Sequence, residues 1–302
     1  MNFDVGDVLT RAWTITWKQK VLWIISILFG LLMSVMFPLM FSPVLFPMLM
    51  HNSRMDVGSA SVLMIGSLLL FYLFIMALYP ISVLTQSSLT IGVLNANEEG
   101  ETLSAIDLVK KSLPFFWRVL GLMILFAVGM GLMNLIIQAI VFVSITLTLG
   151  MATICMMPLM LLMFPIIYGA IVWMEQAMNG IIIDNMTVME AAKQGWDLLR
   201  GNLKPVMLMA LVVYLGVGLV TGVLIMPMMI PFFIVPFSFM ENQANWTMIT
   251  ISILWTVAFI PFFAAATGIS MIFTKSAWVL TYLRLTRSLQ TKPLPGTVEA
   301  TS

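Results

Sequence analysis

Five long stretches of this 302-residue sequence contain no Asp, Glu, Lys or Arg. They cover residues 21–53, 57–97, 119–174, 205–240 and 242–274. About 20 consecutive apolar residues are enough to cross a bilayer as a helix. The third stretch has 56 residues, so we expect it to cross twice and turn near Gly150. The sequence therefore predicts six spanning helices, at about 21–42, 60–84, 119–143, 152–175, 205–226 and 248–273.

The composition excludes the soluble classes of protein. Of the residues, 61% are hydrophobic and 9% are charged, whereas soluble domains carry about 25% charged residues. A soluble enzyme, a nucleic-acid binder and a disordered chain are thereby excluded. The apolar runs are continuous rather than alternating, which indicates an all-α polytopic membrane protein and not a β-barrel. A single cysteine, Cys155, and a single histidine, His51, give no disulfide framework or Cys/His metal cluster, so we expect no cofactor.

The basic residues indicate the orientation of the chain. With six spans, 13 of the 14 Lys and Arg residues fall on the side of the N-terminus, and only Arg54 falls on the other side. Cytoplasmic loops carry the excess of Lys and Arg, so both termini are predicted to be cytoplasmic. Five basic residues next to the spans are candidate contacts for anionic lipid: Lys18, Lys20, Arg118, Arg200 and Lys204.

Three segments share a helix-start pattern before the first, third and fifth spans. They read Asp4-Val-Gly-Asp7, Ser104-Ala-Ile-Asp107 and Thr187-Val-Met-Glu190. Each places a short capping side chain three residues before an acid, which is the capping-box arrangement. An amphipathic helix is predicted to follow each box and to lie in the headgroup plane. In the first of these helices, the predicted apolar face includes Val8, Ala12, Trp13 and Trp17.

The second, fourth and sixth spans each contain a proline after a bulky residue, at Pro80, Pro165 and Pro261. We therefore expect three hairpin repeats in one orientation within a single membrane domain, 1–302. The repeats cover about 4–95, 104–180 and 187–280, followed by a flexible cytoplasmic tail at 288–302. The three prolines, as helix breaks, are expected to surround an inner lumen, which is either filled by apolar side chains or open as a site.

The interfacial segments carry a resemblance to a known group. Ala12-Trp13 with Trp17-Lys18, and Phe116-Trp117-Arg118, resemble six-helix bacterial membrane proteins. These include the membrane domain of some glycerophosphoryl diester phosphodiesterases and its stand-alone relatives of unknown function. The resemblance implies the bacterial cytoplasmic membrane. The chain has no room for the phosphodiesterase barrel, so no enzymatic activity is expected.

Few polar residues lie within the predicted spans. Glu175 and Lys275 are the charges nearest the hydrocarbon, and ionisable residues there are candidates for function. Alternatively, both sit at the membrane boundary with Lys275 snorkelling, or they pair directly. Asn134 and Gln138 lie one turn apart in the third span, where they suit interhelical hydrogen bonding or a lining of a solute path. The small residues of 218–222 and 264–268 are expected to allow close helix packing.

These features favour a non-enzymatic membrane protein that interacts with lipid or acts as an interaction scaffold. Its expected partners are membrane lipids, and a membrane-protein partner or a second copy of the chain is compatible with the sequence, whereas nucleic acid is not. The alternative is a transporter or permease for a small or lipidic solute. The scarcity of polar groups in the spans disfavours transport, and the prolines within the spans favour it.

Overall fold

The computed structural model describes residues 4–36, 39, 57–98, 103–148, 152–237 and 246–290, and these residues form helices and short connections without a strand. We number the α-helices in chain order. They are α1 Val5–Lys18, α2 Lys20–Ser34, α3 Val57–Asn97, α4 Ala105–Ser112, α5 Phe116–Leu147, α6 Ala152–Ile183, α7 Val188–Gly201, α8 Leu203–Ala210, α9 Val217–Ile225, α10 Ile230–Phe237 and α11 Trp246–Gln290. The predicted all-α class is confirmed.

Among the described residues, five helical stretches are long and apolar enough to cross a membrane. They are Ser61–Asn97, Ala105–Leu147, Met163–Ile183, Leu203–Met229 and Thr247–Thr286. α1 and α2 meet at a bend of 85°, and they provide a sixth span if this bent pair is counted as one. The protein is thus a multi-pass membrane protein, with five or six spans in the part of the chain that the structure describes.

The three predicted helix starts are confirmed, because each has a capping side chain. Asp4 Oδ1 accepts a hydrogen bond of 2.8 Å from the N–H of Gly6. Ser104 Oγ accepts one of 3.2 Å from the N–H of Asp107. Before α7, Thr187 and Glu190 form a reciprocal capping box. These bonds satisfy N–H groups that have no partner inside the helix, and they explain where α1, α4 and α7 begin.

Three helices continue far beyond their predicted inner ends. α3 ends at Asn97 instead of 84, α6 at Ile183 instead of 175, and α11 at Gln290 instead of 273. The predicted tail therefore begins too early, since 288–290 belong to α11, and the rest of it lies outside the described residues. The buried sides of the extensions carry Leu89, Ile181 and Trp278, which pack among residues of α1, α4, α7 and α8. We call this packed end of the molecule the basal core.

The outer parts of the spans are much less packed than the basal core. In the spans of α3 and α5, only 11% of the most apolar 18-residue segment is buried within the protein, whereas 50% is buried in the span of α6. Apolar side chains exposed at this level face lipid rather than water in a membrane. The hydrophobic effect therefore does not drive their burial, and close packing is concentrated in the basal core.

The predicted apolar face of α1 divides into a part that packs against other helices and a part that is exposed. Val8, Ala12 and Ile15 are buried, but Trp13 and Trp17 are about half exposed. The Trp17 ring packs edge-on against Trp23 of α2, with 5.1 Å between ring centroids. The tryptophans therefore lie on the flank of the helix and not in its packed face.

α2 lies very close to α11 because small residues face each other. Gly30 faces the backbone of Ala264, and Gly268 faces the backbone of Ser26 and Ile27. A Cβ at either glycine would lie about 3 Å or less from backbone atoms of the other helix. The prediction of close packing is thus confirmed for 264–268. It is wrong for Gly218 and Gly222, which have no atom within 4 Å of where a Cβ would lie.

The fifth predicted span, 205–226, is not one regular helix. α8 is followed by a π-helical segment, Leu211–Gly216, then α9, a 3₁₀ turn at Met226–Met229 and α10. The proline-rich region after this span is helical through Pro227 and Pro231. A π segment inside a helix widens one turn and is frequent at functional sites.

Candidate functional site

Glu175 of α6 and Lys275 of α11 form a buried ion pair. Lys275 Nζ lies 2.5 Å from Glu175 Oε2, and the side chains are 2% and 9% exposed. Lys275 Nζ also lies 3.8 Å from the sulfur of Met178. Of the arrangements compatible with the sequence, the direct pair forms, and snorkelling of Lys275 toward solvent is excluded by its burial. The pair joins α6 to α11, and its two residues are 100 positions apart in the chain.

A cavity of about 240 Å³ adjoins this pair and opens widely at the surface of the protein. We call it the polar cavity because seven of its eight lining residues have polar side chains. Four helices contribute to its wall: α3, α6, α9 and α11. The lining residues are Gln86, Glu175, Thr221, Thr267, Ser270, Met271, Thr274 and Lys275. Within the wall, the hydroxyls of Thr221 and Ser270 lie 2.6 Å apart and link α9 to α11. Its wall thus contains both charge signs with hydroxyl and amide groups, while most of the surface that lines it is apolar.

Several buried polar atoms around the pair have no hydrogen-bond partner among the described residues. They include Gln86 Oε1 in the cavity wall, both amide atoms of Gln176, and Ser276 Oγ. Asn179 donates from Nδ2 to the carbonyl of Trp278 at 3.3 Å, but its Oδ1 is also unpaired. Buried polar groups are normally paired, because each unpaired one costs about 1–3 kcal/mol. Unpaired buried polar groups are therefore more concentrated around the ion pair than is normal in a protein interior.

A second polar cluster lies closer to the ends of α6 and α11. The Tyr282 hydroxyl contacts the carboxylate of Asp184 and lies 3.0 Å from Gln194 Oε1 of α7. Arg284 of α11 pairs with Asp7 of α1. Sequence reasoning missed both contacts. Tyr282 follows Lys275 by about two helical turns, but no sequence signal identifies the partners of Tyr282 or Arg284 on other helices.

The predicted hydrogen bonds of Asn134 and Gln138 do not form among the described residues. Both side chains are exposed on α5, and most of the neighbouring residues on this part of the helix are exposed as well. Two apolar neighbours on the same helix, Leu135 and Ile136, are also more than 60% exposed. Neither residue adjoins the cavity beside Glu175.

The three prolines do not surround an inner lumen. Pro80, Pro165 and Pro261 are all exposed on the outside of the bundle. Pro165 lines an apolar groove of about 350 Å³ between α6 and the segment 207–215. In that groove Tyr168 stacks on Tyr214 with 5.4 Å between ring centroids. The polar cavity is therefore bounded by other residues of α3, α6 and α11, and the predicted lumen is wrong.

The five candidate lipid contacts, Lys18, Lys20, Arg118, Arg200 and Lys204, are all exposed. Arg118 already has protein partners, because its Nη1 donates to Asn185 Oδ1 at 2.7 Å and to the Asn185 carbonyl at 3.2 Å. His51 and the side chain of Cys155 lie outside the described residues.

Comparisons with known proteins give no relative: no family model, no curated protein and no solved structure matches the chain. The resemblance to the membrane domain of glycerophosphoryl diester phosphodiesterases therefore stays a prediction from the interfacial segments.

Proposed function

We propose that the protein is a permease-type membrane protein that binds a small zwitterionic solute beside Glu175 and Lys275. The observation that carries this proposal is the buried ion pair in the wall of the polar cavity. Moving an ion out of water costs several kcal/mol, and well-packed apolar residues can replace a buried pair without loss of stability. A purely structural role for the pair is therefore an expensive solution, whereas binding of a charged solute needs it.

The charges of the cavity suggest the class of solute. Glu175 and Lys275 neutralise each other, so a solute of one charge would leave one of them without a counter-charge. A solute that carries both an ammonium and a carboxylate can instead exchange partners with both residues. The cavity of about 240 Å³ has the liquid volume of roughly eight water molecules, taking about 30 Å³ for each. That volume suits a compound the size of a small amino acid.

The proposal is tested by binding of simple probes to the purified protein in detergent micelles. Glycine and L-alanine should raise the unfolding temperature in a concentration-dependent manner, because a ligand that binds only the folded state stabilises it. Acetate and ethylammonium, which each carry one charge, should not. Reconstituted vesicles should then take up the zwitterion that binds.

Variants separate the cavity from the rest of the protein. Thr221→Val and Ser270→Ala remove hydroxyls of the wall without touching the ion pair, and both should weaken the effect of glycine. Lys193→Gln removes an exposed charge on α7 and serves as the matched control. Equal responses of all variants, or no response of the wild-type protein to either zwitterion, would exclude this function.

A second candidate is a lipid-interacting or scaffold module, and exposed tryptophans favour it. Trp13, Trp117 and Trp196 follow the three capped starts and are 54%, 76% and 46% exposed. Tryptophan prefers the membrane interface, where its ring is shielded from water and its N–H stays hydrated. Under this proposal the cavity has no role, so an apolar Glu175→Leu/Lys275→Met variant should keep full lipid or partner binding.

A further inference from the structure

A second polar cavity lies at the bend between α1 and α2, far along the chain from Glu175. It measures about 340 Å³, and we call it the basic cleft. Its walls come from the end of α1, the bend and the end of α3. The lining residues are Arg11, Thr14, Ile15, Lys18, Gln19, Ala96 and Asn97.

Two cations of the basic cleft have no anionic partner among the described residues. Arg11 and Lys18 are seven residues apart, which places them two turns apart on one side of α1. The nearest acid on this helix, Asp7, forms its ion pair with Arg284 and interacts with Arg11 only through longer-range charge attraction. The guanidinium and the ammonium are therefore both available to an anion in the cleft.

Two further features of the cleft select an anion with a polar substituent. Gln19 is the N-cap residue of α2 and no side chain caps this helix, so the positive end of the α2 dipole is open at the cleft. The negative ends of the α1 and α3 dipoles also lie here, at about half a charge each, and the two full charges of Arg11 and Lys18 exceed them. The Oδ1 atom of Asn97 is buried and has no hydrogen-bond partner. It can accept a hydrogen bond from a hydroxyl or ammonium group close to the anion.

We propose that the basic cleft binds a phosphodiester whose substituent carries a hydrogen-bond donor, as in the headgroup of a glycerophospholipid. Arg11 matches two phosphate oxygens in a forked geometry and Lys18 adds a point charge. The half-exposed Trp13 and Trp17 on the same helix place this region at a bilayer surface. The inference rests on the lipid-interacting candidate function, and it does not depend on a solute at Glu175.

The test uses purified full-length protein in phosphate-free detergent, with bound lipid counted by native mass spectrometry. Phosphatidylglycerol should bind at one saturable site, and phosphatidylcholine, whose headgroup has no donor, should bind more weakly. The Arg11→Gln/Lys18→Gln variant should lose roughly 30-fold in affinity for phosphatidylglycerol, since each basic residue near an anionic surface contributes about five-fold. Lys110→Gln/Lys111→Gln removes two exposed charges of α4 outside the cleft and should bind like wild type.

The outcomes separate the possible sources of the phosphate. Competition by millimolar inorganic phosphate would identify a free phosphate compound as the ligand and overturn the lipid headgroup. Unchanged phosphatidylglycerol binding in the Arg11→Gln/Lys18→Gln variant would overturn the site itself. An unchanged stabilisation by glycine in this variant would show that the Glu175 cavity functions independently, so the two proposals can fail separately.

Discussion

The close contact between α2 and α11 predicts opposite effects of one substitution at two glycines. In Gly30→Ala the new Cβ would lie 2.7 Å from the carbonyl oxygen of Ala264 and 3.1 Å from its Cα. Ordinary non-bonded contacts of a carbon atom begin at about 3.5 Å, so the 2.7 Å contact requires the helices to separate by roughly 0.8 Å. Because the obstacle is backbone, rotation of a side chain cannot relieve it. Overpacking of this kind costs about 1–3 kcal/mol.

Gly218→Ala is the matched control, because its Cβ would meet no atom within 4 Å. Both variants gain about 1 kcal/mol from the better helix propensity of alanine. Their difference therefore isolates the overpacking, and Gly30→Ala should be less stable than Gly218→Ala by about 1–3 kcal/mol. Titration with SDS in mixed micelles, followed by tryptophan fluorescence, measures both free energies of unfolding. Equal stabilities would show that α2 does not approach α11 at Gly30.

Three further predictions concern other parts of the molecule. Lys275→Met should lower the free energy of unfolding by about 3–5 kcal/mol, and the double variant with Glu175→Leu should recover most of it; additive losses in this double-mutant cycle would contradict the ion pair. Thr187→Ala should destabilise the protein by about 1 kcal/mol through loss of the α7 cap. Hydrogen bonds from the Thr187 backbone and hydroxyl lower the pKa of Glu190. The destabilisation by Thr187→Ala should therefore be complete above pH 4.5, the usual pKa of a glutamate, and decrease as the pH falls through the lowered pKa. A pH-independent loss of stability, measured by circular dichroism, would argue against the capping box. In a Cys155→Ser background, cysteines at Ser53 and Gln243 should react with an impermeant thiol reagent outside intact cells, and one at Asn185 should not; labelling at Asn185 would rule out the six-span topology.

Much of the local structure was predictable because short-range chemistry controls it. The capping residues Asp4, Ser104 and Thr187 mark helix starts, since each satisfies N–H groups within its own first turn. The inner ends of α3, α6 and α11 were not predictable in the same way. Glu175 and Lys275 ended the apolar runs of α6 and α11, but the two residues pair with each other and both helices continue. The apolar run of α3 extends to residue 97 and was longer than one span requires.

The candidate site was only partly predictable for a related reason. Glu175 and Lys275 stand out as charges beside apolar runs, but the contribution of Gln86 and Thr221 to their cavity depends on the rotation of α3 and α9. Pro80, Pro165 and Pro261 share a position along their helices, yet sequence position does not specify the side of the bundle that they face. Their exposure follows from how the helices rotate to pack the basal core.

The sequence by itself determined that the chain crosses a membrane, because apolar runs without charges have no stable place in water. It also determined where α1, α4 and α7 begin. Only the tertiary structure decided which polar groups meet: the Glu175–Lys275 pair, the Tyr282–Asp184 contact and the basic cleft all join residues about 80 or more positions apart in the chain. Such contacts depend on the rotation and depth of whole helices, which follow from packing at glycines such as Gly30 and Gly268 rather than from any local pattern.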